Sequence, residues 1–332
     1  MIEILERILE WIAERSPSMS PAHTPSLPSP KQQPSHRLGQ ATFMSVKVPP
    51  IKCQGIKTKL VPWIKTLLPD RFLCGQFDGR WIEPFMGSGV VGYNIPCKRV
   101  LMGDTNPHLI RFYRSIQKGR ITPEIVRKYL EREGSILLDK GVDHYLAVRK
   151  RFNEGHDPLD FLFLNRAGFN GMIRFNRKGE INVPFCKKPQ RFAPAYITRI
   201  VNQIDHVHRL LKNNAYEFEC QPFLRTIEQA NANDIVYCDP PYIDRHTDYH
   251  NRWDEEDEGL LFEALCRMPG YFILSTWHHN GYRRNRHIEK FRERFHIRTR
   301  EHFYHLGGAQ DNRHSITEAI VRNYETPARS DP

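Results

Sequence analysis

Apolar and polar positions alternate along the chain in blocks that change period from element to element. Residues 57–69, KTKLVPWIKTLLP, set Leu60, Ile64, Leu67 and Leu68 on one side, which predicts a helix lying against a sheet. Residues 79–95, GRWIEPFMGSGVVGYNI, read as a strand, a glycine loop and the start of the next element. Residues 98–113, KRVLMGDTNPHLIRFY, repeat the theme as strand, acid, turn and helix. A fully apolar run, Ile235-Val236-Tyr237-Cys238, ends in Asp239-Pro240-Pro241-Tyr242, and GYFILSTW at 270–277 predicts a further strand. Between them the acidic stretch 254–268 reads as a helix. Strands alternating with helices predict an α/β fold on a mainly parallel sheet. Ligands of such sheets sit beyond the carboxyl ends of the strands, where the glycine loop, Asp104 and Asp239 all fall.

The flanks differ. Residues 2–15 carry Leu5, Ile8, Leu9 and Ile12 at helical spacing, whereas 16–36 are mostly Ser and Pro and read as a flexible linker. A second start appears at Met44, so 1–43 are expected to be a helix plus a flexible extension, with a flexible tail at 327–332. The basic stretch 283–300 has Ile288, Phe291 and Phe295 on one side and is expected to be a solvated helix that touches phosphate.

Composition narrows the functions. The 332 residues hold 49 Lys plus Arg against 38 Asp plus Glu, a formal charge of +11, which favours a polyanionic partner. No apolar run approaches the ~20 residues that span a bilayer, and MIEILERILE lacks the basic start of a signal peptide. Seven cysteines without a CxxC pair read as free thiols in a reducing cytoplasm. Sixteen histidines raise the question of metal, but His278-His279, His206/His208 and His302/His305 lack acid or thiolate ligands at zinc spacing, so no metal site is expected.

Gly87 and Gly89 of PFMGSG let a backbone approach a ligand, although a GxG turn alone is weak evidence for a nucleotide-like cofactor. A carboxylate such as Asp104, one strand later, accepts both ribose hydroxyls of an adenosine-containing cofactor. It also has an ordinary role, capping the next helix together with Asn106. Asp239-Pro240-Pro241-Tyr242 sharpens the choice. The exocyclic amine of a nucleobase is a poor nucleophile because its lone pair is delocalised into the ring. A carboxylate (Asp239) and a rigidly aimed carbonyl (Pro240) can hold its two N–H bonds and turn the lone pair outward. Tyr242 then offers a face for a base drawn from its stack. Pro96-Cys97, the pair used by cytosine-5 methylases, lies between a cofactor loop and its strand, where nothing activates the thiol.

From about residue 48 to 325 the chain resembles the Dam-type (D12 class) family of DNA adenine-N6 methyltransferases. KCQGIK (52–57), EPFMGSG (83–89), GDTN (103–106) and DPPY (239–242) follow the family's order. FLNRAGFNGMIRFNRKGEINVPF (163–185) is very close to its DNA-reading hairpin, and ITEAIVRNY (316–324) to its terminal strand. The resemblance implies a Rossmann-like methyltransferase sheet over 44–112 and 196–326. A mainly helical target-recognition insertion over 113–195 carries the β-hairpin. It implies S-adenosylmethionine as cofactor, held by Cys53, Lys57, Glu83, Pro84, Phe85, Gly87, Gly89, Asp104 and Asp239. Asp104 would take the ribose, and Lys57 and the 85–89 loop the amino-acid part. The family's aromatic in the opening motif is Cys53 here, so the adenine side of the pocket is packed differently. Catalysis would fall to Asp239, Pro240 and Tyr242, and double-stranded DNA would meet Lys52, Asn170, Arg174, Asn176, Lys178, Asn182 and Pro184. By the same resemblance Lys52 contacts the first base of the site, Arg174 reads a base and Pro184 lies on a thymine methyl.

Physically, Asn165, Arg166, Asn170, Arg174, Asn176, Arg177 and Lys178, interleaved with Phe169, Met172, Ile173 and Phe175, suit base edges and phosphates, against the plainer reading of a solvated basic hairpin. The expected protein is a monomeric, cytoplasmic bacterial enzyme that methylates N6 of a flipped adenine in a short site such as GATC, GATATC or CATG. It would be the modification partner of a restriction endonuclease acting on the same site without a stable complex, or a solitary relative. An RNA or cytosine-N4 methyltransferase, and a DNA-binding regulator without catalysis, are the alternatives.

Overall fold

Why the apolar runs become strands is visible in where alternate residues go. In the computed structural model, which describes residues 45–73, 76–242, 253–280, 282–303 and 315–326, seven strands form one sheet. They are β1 (Trp81–Glu83), β2 (Arg99–Asp104), β3 (Ala215–Cys220), β4 (Ile235–Cys238), β5 (Tyr271–Asn280), β6 (His296–Phe303) and β7 (Ser315–Arg322), in the spatial order β3-β2-β1-β4-β5-β7-β6. All neighbours are parallel except β7, which runs against both β5 and β6. Trp81, Val100, Ile235 and Ile273 join one apolar cluster, while Ile82, Leu101, Val236 and Phe272 join another. Consecutive residues point to opposite faces, so a run buried on both sides must be apolar throughout.

Helices cover each face. The first carries α1 (Val61–Thr66), begun by Pro62, and α2 (Pro107–Gln117), whose N-terminal N–H groups at His108 and Leu109 are capped by the Asn106 side chain at 3.0 and 3.3 Å. Between α2 and β3 come α3 (Pro123–Lys140), α4 (Val142–Gly155), α5 (Pro158–Ala167), the hairpin residues and α6 (Pro194–Asn213). Buried Asp160 of α5 ties these helices together, accepting from Tyr129 of α3 and, at 2.8 Å, from Arg151 Nε of α4. The second face is covered by α7 (Glu255–Arg267), whose start has a reciprocal Asp254–Asp257 capping box, and by α8 (Ile288–Arg292).

Two expectations change. The basic stretch 283–300 is not one helix: α8 buries Ile288 and Phe291 over a single turn, and from His296 the chain is the edge strand β6. Alternating charges on an exposed edge strand mimic a solvated helix face. The hairpin arms are joined by isolated antiparallel bridges, Gly168 with Phe185 and Phe175 with Ile181, rather than a continuous ladder. The predicted helix at 2–15, the Ser/Pro extension and the tail lie outside the described residues. No helix among the described residues is long and apolar enough to cross a membrane.

Candidate functional site

The sheet order reverses between β1 and β4, and the carboxyl ends of β1, β2 and β4 open on the same edge. The loop after β1 is fixed there by hydrogen bonds from Met86 N to Gly103 O (2.8 Å) and from Gly87 N to Asp104 Oδ2 (3.0 Å). The second Asp104 oxygen accepts from Asn106 N at 2.9 Å. Asp104 thus organises the loop, and Asn106 alone supplies the side-chain cap of α2. Burial raises the Asp104 carboxyl and those N–H donors pull it back. Gly87 has φ +47° and open space where a Cβ would stand, while a Cβ on Gly89 would approach the Tyr93 ring to 2.5 Å. The loop therefore leaves room for a ligand on one side and has none to spare on the other.

The cleft so formed opens to solvent and is lined by Cys53, Lys57, Glu83, Phe85, Gly87 and Asp239 among others. Glu83 is buried and accepts from Trp81 Nε1 at 2.8 Å. Burial above all pushes its carboxyl up to about 8. Pro84 is buried behind it, and Phe85 stacks on Phe223 at 5.2 Å with Trp253 edge-on at 5.4 Å. Burial also raises the Cys53 thiol.

Asp239 follows β4 at the cleft's edge. Lys57 Nζ pairs with its Oδ1 at 2.8 Å, donates to Gly55 O at 3.1 Å and lies 4.9 Å from the centre of the Tyr242 ring. Lys57 thus connects the cofactor cleft to the Asp-Pro-Pro-Tyr turn. Burial raises the Asp239 carboxyl, Lys57 lowers it, and Glu318 adds to the rise. Pro240 is buried. Tyr242, also buried, packs with Trp277 and Ile316, and its hydroxyl donates to Glu318 Oε2 at 2.7 Å.

Lys52 and the hairpin are brought together by a residue read from the sequence as one more polar contact for DNA. Asn165, buried at the end of α5, accepts from Lys52 N at 2.9 Å and donates to Lys52 O at 2.9 Å and to Gly171 O at 3.2 Å. Arg166 is likewise buried and bonds to Gln203. Burial, then Arg166 and Arg191, lower the Lys52 ammonium to about 8. Arg174 is tied to Asn182, donating from Nε to Oδ1 at 2.8 Å and from Nη2 to the backbone carbonyl at 2.9 Å. Asn176 closes the turn: its Oδ1 accepts from Lys178 N (2.9 Å) and Glu180 N (3.0 Å). Asn170, in the left-handed region at φ 52°, is exposed, as are Phe169, Lys178 and Pro184. The hairpin is anchored on α4 by Tyr145 OH to Val183 O (2.8 Å) and by Ile181 N to Asn153 Oδ1 (2.9 Å).

Cys97 is buried with its sulfur on Arg99 O at 3.2 Å, and burial raises its thiol, the reverse of an activated nucleophile. Sequence reasoning missed Glu318, whose signal is an acid inside the apolar strand SITEAIVR, and Asn165 as a clamp. Phe223 and Trp253 gave no signal in the sequence.

A glycine loop at the switch point of this sheet, followed by an acid on each of the two flanking strands, defines a Rossmann-like, S-adenosylmethionine-dependent methyltransferase. The chain belongs to the D12 class N6 adenine-specific DNA methyltransferase family, whose model matches residues 54–306. The DNA adenine methylase of Vibrio cholerae is 32% identical over 251 residues, 69% of this chain and 80% of that protein. The DNA adenine methylase of Haemophilus influenzae is 33% identical over 201 residues, 58% of this chain and 63% of that protein. Type II methyltransferase M.FokI of Planomicrobium okeanokoites is 27% identical over 288 residues, 83% of this chain and 42% of that protein. The match thus spans just under two thirds of the Haemophilus protein and less than half of M.FokI. The cleft fits the cofactor. A buried acid suits a ligand carrying ammonium and sulfonium charges, and the space over Gly87 admits it.

Proposed function

We propose that this chain methylates N6 of an adenine turned out of duplex DNA, with Asp239 and Pro240 holding the amine. The observation that carries the reading is Asp239, standing between the cofactor cleft and the buried Tyr242 ring with Lys57 on one of its oxygens. Lys57, Glu83 and the Phe85–Gly89 loop would hold the amino-acid end of S-adenosylmethionine, Asp104 its ribose, and Cys53 would border the adenine. The bound cofactor supplies an electrophilic methyl group. Asp239 Oδ2 accepts one N6–H bond and the Pro240 carbonyl the other. The nitrogen lone pair is then turned outward instead of into the ring. S-adenosylmethionine would supply the methyl and leave as the neutral thioether, and the Asp239 carboxylate would take the proton lost from N6. Tyr242 stacks on the base, while Lys52, Asn170, Arg174, Asn176, Lys178, Asn182 and Pro184 face the duplex. M.FokI's name as a type II methyltransferase favours a modification role beside a restriction endonuclease acting on the same short site.

Methyl transfer from labelled cofactor is measured on duplex DNA, RNA and protein, with the modified base identified after digestion. N6-methyladenine in DNA is expected; label in RNA or in N4-methylcytosine would replace this reading. Asp239→Ala should abolish transfer and leave duplex binding within about twofold, since it acts on the amine and not on phosphates. Substantial residual turnover would remove Asp239 from the chemistry.

A further inference from the structure

Glu318 lies in the middle of β7, directly opposite Trp277 of β5 and Arg300 of β6 in the sheet register. Directly paired residues of antiparallel strands share a face, so Glu318 shares the face of Trp277, beside a register shift in β5 between Trp277 and His279. The residue is fully buried, with apolar Ile316 and Ile320 two positions away on either side. Its Oε2 accepts the Tyr242 hydroxyl at 2.7 Å, and among the described residues its Oε1 has no hydrogen-bond partner. An apolar residue would suit this strand better, because a buried carboxylate with an unfilled oxygen opposes folding. Such a group persists where it sets a geometry.

We infer that Glu318 is a positioning residue for catalysis: by holding the Tyr242 hydroxyl, it fixes where the ring on which the extruded adenine stacks comes to rest. The inference rests on the function proposed above. The ring of Tyr242 has two rotatable bonds. The hydroxyl lies on the axis of the second, so the hydrogen bond to Glu318 restrains the first: it stops the ring from swinging and keeps it beside the Lys57 ammonium that also holds Asp239. Packing with Trp277 and Ile316 limits rotation about the second. Removing either end of the bond frees the ring; Glu318 also raises the Asp239 carboxyl, and Glu318→Gln, which loses that charge but keeps the hydrogen bond, separates the two effects.

The test is a double-mutant cycle on the full chain: wild type, Glu318→Ala, Tyr242→Phe and the double variant. The readouts are kcat, KM for S-adenosylmethionine, and the fluorescence of a duplex with 2-aminopurine at the target adenine. Each single variant is expected to lower kcat about tenfold and the bound fluorescence with it, at unchanged cofactor KM, and the double variant to be no slower than the singles. Glu318→Gln, whose amide oxygen still accepts the phenolic proton, should stay within about threefold of wild type. Additive losses, a Glu318→Ala enzyme at the wild-type rate, or a Glu318→Gln enzyme as slow as Glu318→Ala would each overturn the inference. Should Glu318→Ala fail to fold, Glu318→Met, which fills the same volume, takes its place in the cycle. If the wild type methylates no adenine in DNA, the functional reading fails. The pair is then judged by melting temperatures of the same four proteins, where non-additive losses uphold the coupling and additive losses overturn it.

Discussion

Glu83 is where a single residue's chemistry is most exposed to measurement. Its carboxyl, ordinarily near 4.5, is pushed up to about 8 by burial. Between those values the folded chain binds a proton that the unfolded chain has released. Stability therefore falls as pH rises through that window, by up to about 1.4 kcal/mol per pH unit from this group. Below the window the contribution vanishes, and above it the loss is complete. Glu83→Gln should melt like the wild type near pH 5 and higher than it near pH 8.5, in thermal scans without cofactor. Equal melting temperatures at both pH values would mean that Glu83 is solvated or paired when the protein is free in solution. At this scale the sequence disclosed the groups with a motif around them: Asp104, Asp239 and Tyr242 each stand at the end of an apolar run, where a polar residue has few structural reasons to be. Glu318 and Asn165 were hidden for opposite reasons. Glu318 sits within a strand, where neighbours distant in the chain decide its role, and Asn165 looked like one more polar group in a basic, amide-rich segment.

The hairpin is the element on which we propose that target choice rests. Its turn is closed by Asn176, and the Arg174 guanidinium is already oriented by Asn182 before any DNA arrives. An arginine held in this way loses little freedom when its fork meets a guanine edge. Arg174→Ala is expected to relax specificity at one position of the site by ~1–3 kcal/mol while cofactor affinity holds. Lys178, exposed at the tip, should behave differently: Lys178→Ala should weaken all sequences alike and reduce the salt slope of binding by about one. Rates on single-base variants of the site, with binding titrated at several salt concentrations, separate the two. An Arg174→Ala enzyme slowed equally on every sequence would leave Arg174 as a phosphate clamp only. The sequence made this element legible through its order of residues, whereas 283–300 misled. A periodicity of three to four is real over Ile288 and Phe291, but Phe295 continues it only up to the edge strand. Which of the two the chain adopts is settled by pairing with β7, some twenty residues further on.

At the scale of the molecule, the apolar core begins close to Met44. Val46 packs against it, Ile51 is fully buried within it, and the family match starts at residue 54. The sheet and the inserted helices share that core: Trp81 and Ile273 of the sheet lie in one cluster with Leu130, Phe161 and Phe163 of the insertion. The inserted helices therefore cannot be removed without opening the sheet. We propose, from their Ser- and Pro-rich composition, that residues 16–36 add nothing to that core. A chain beginning at Met44 should accordingly melt within about 2 °C of the full chain, since a change of 1 kcal/mol moves the midpoint of a domain this size by a similar amount. It should also methylate DNA at the same rate. Thermal scans and initial rates on the two lengths decide the matter. A shortened chain that is insoluble, or that loses cofactor binding, would show that the extension completes the fold and that the boundary at Met44 is misplaced.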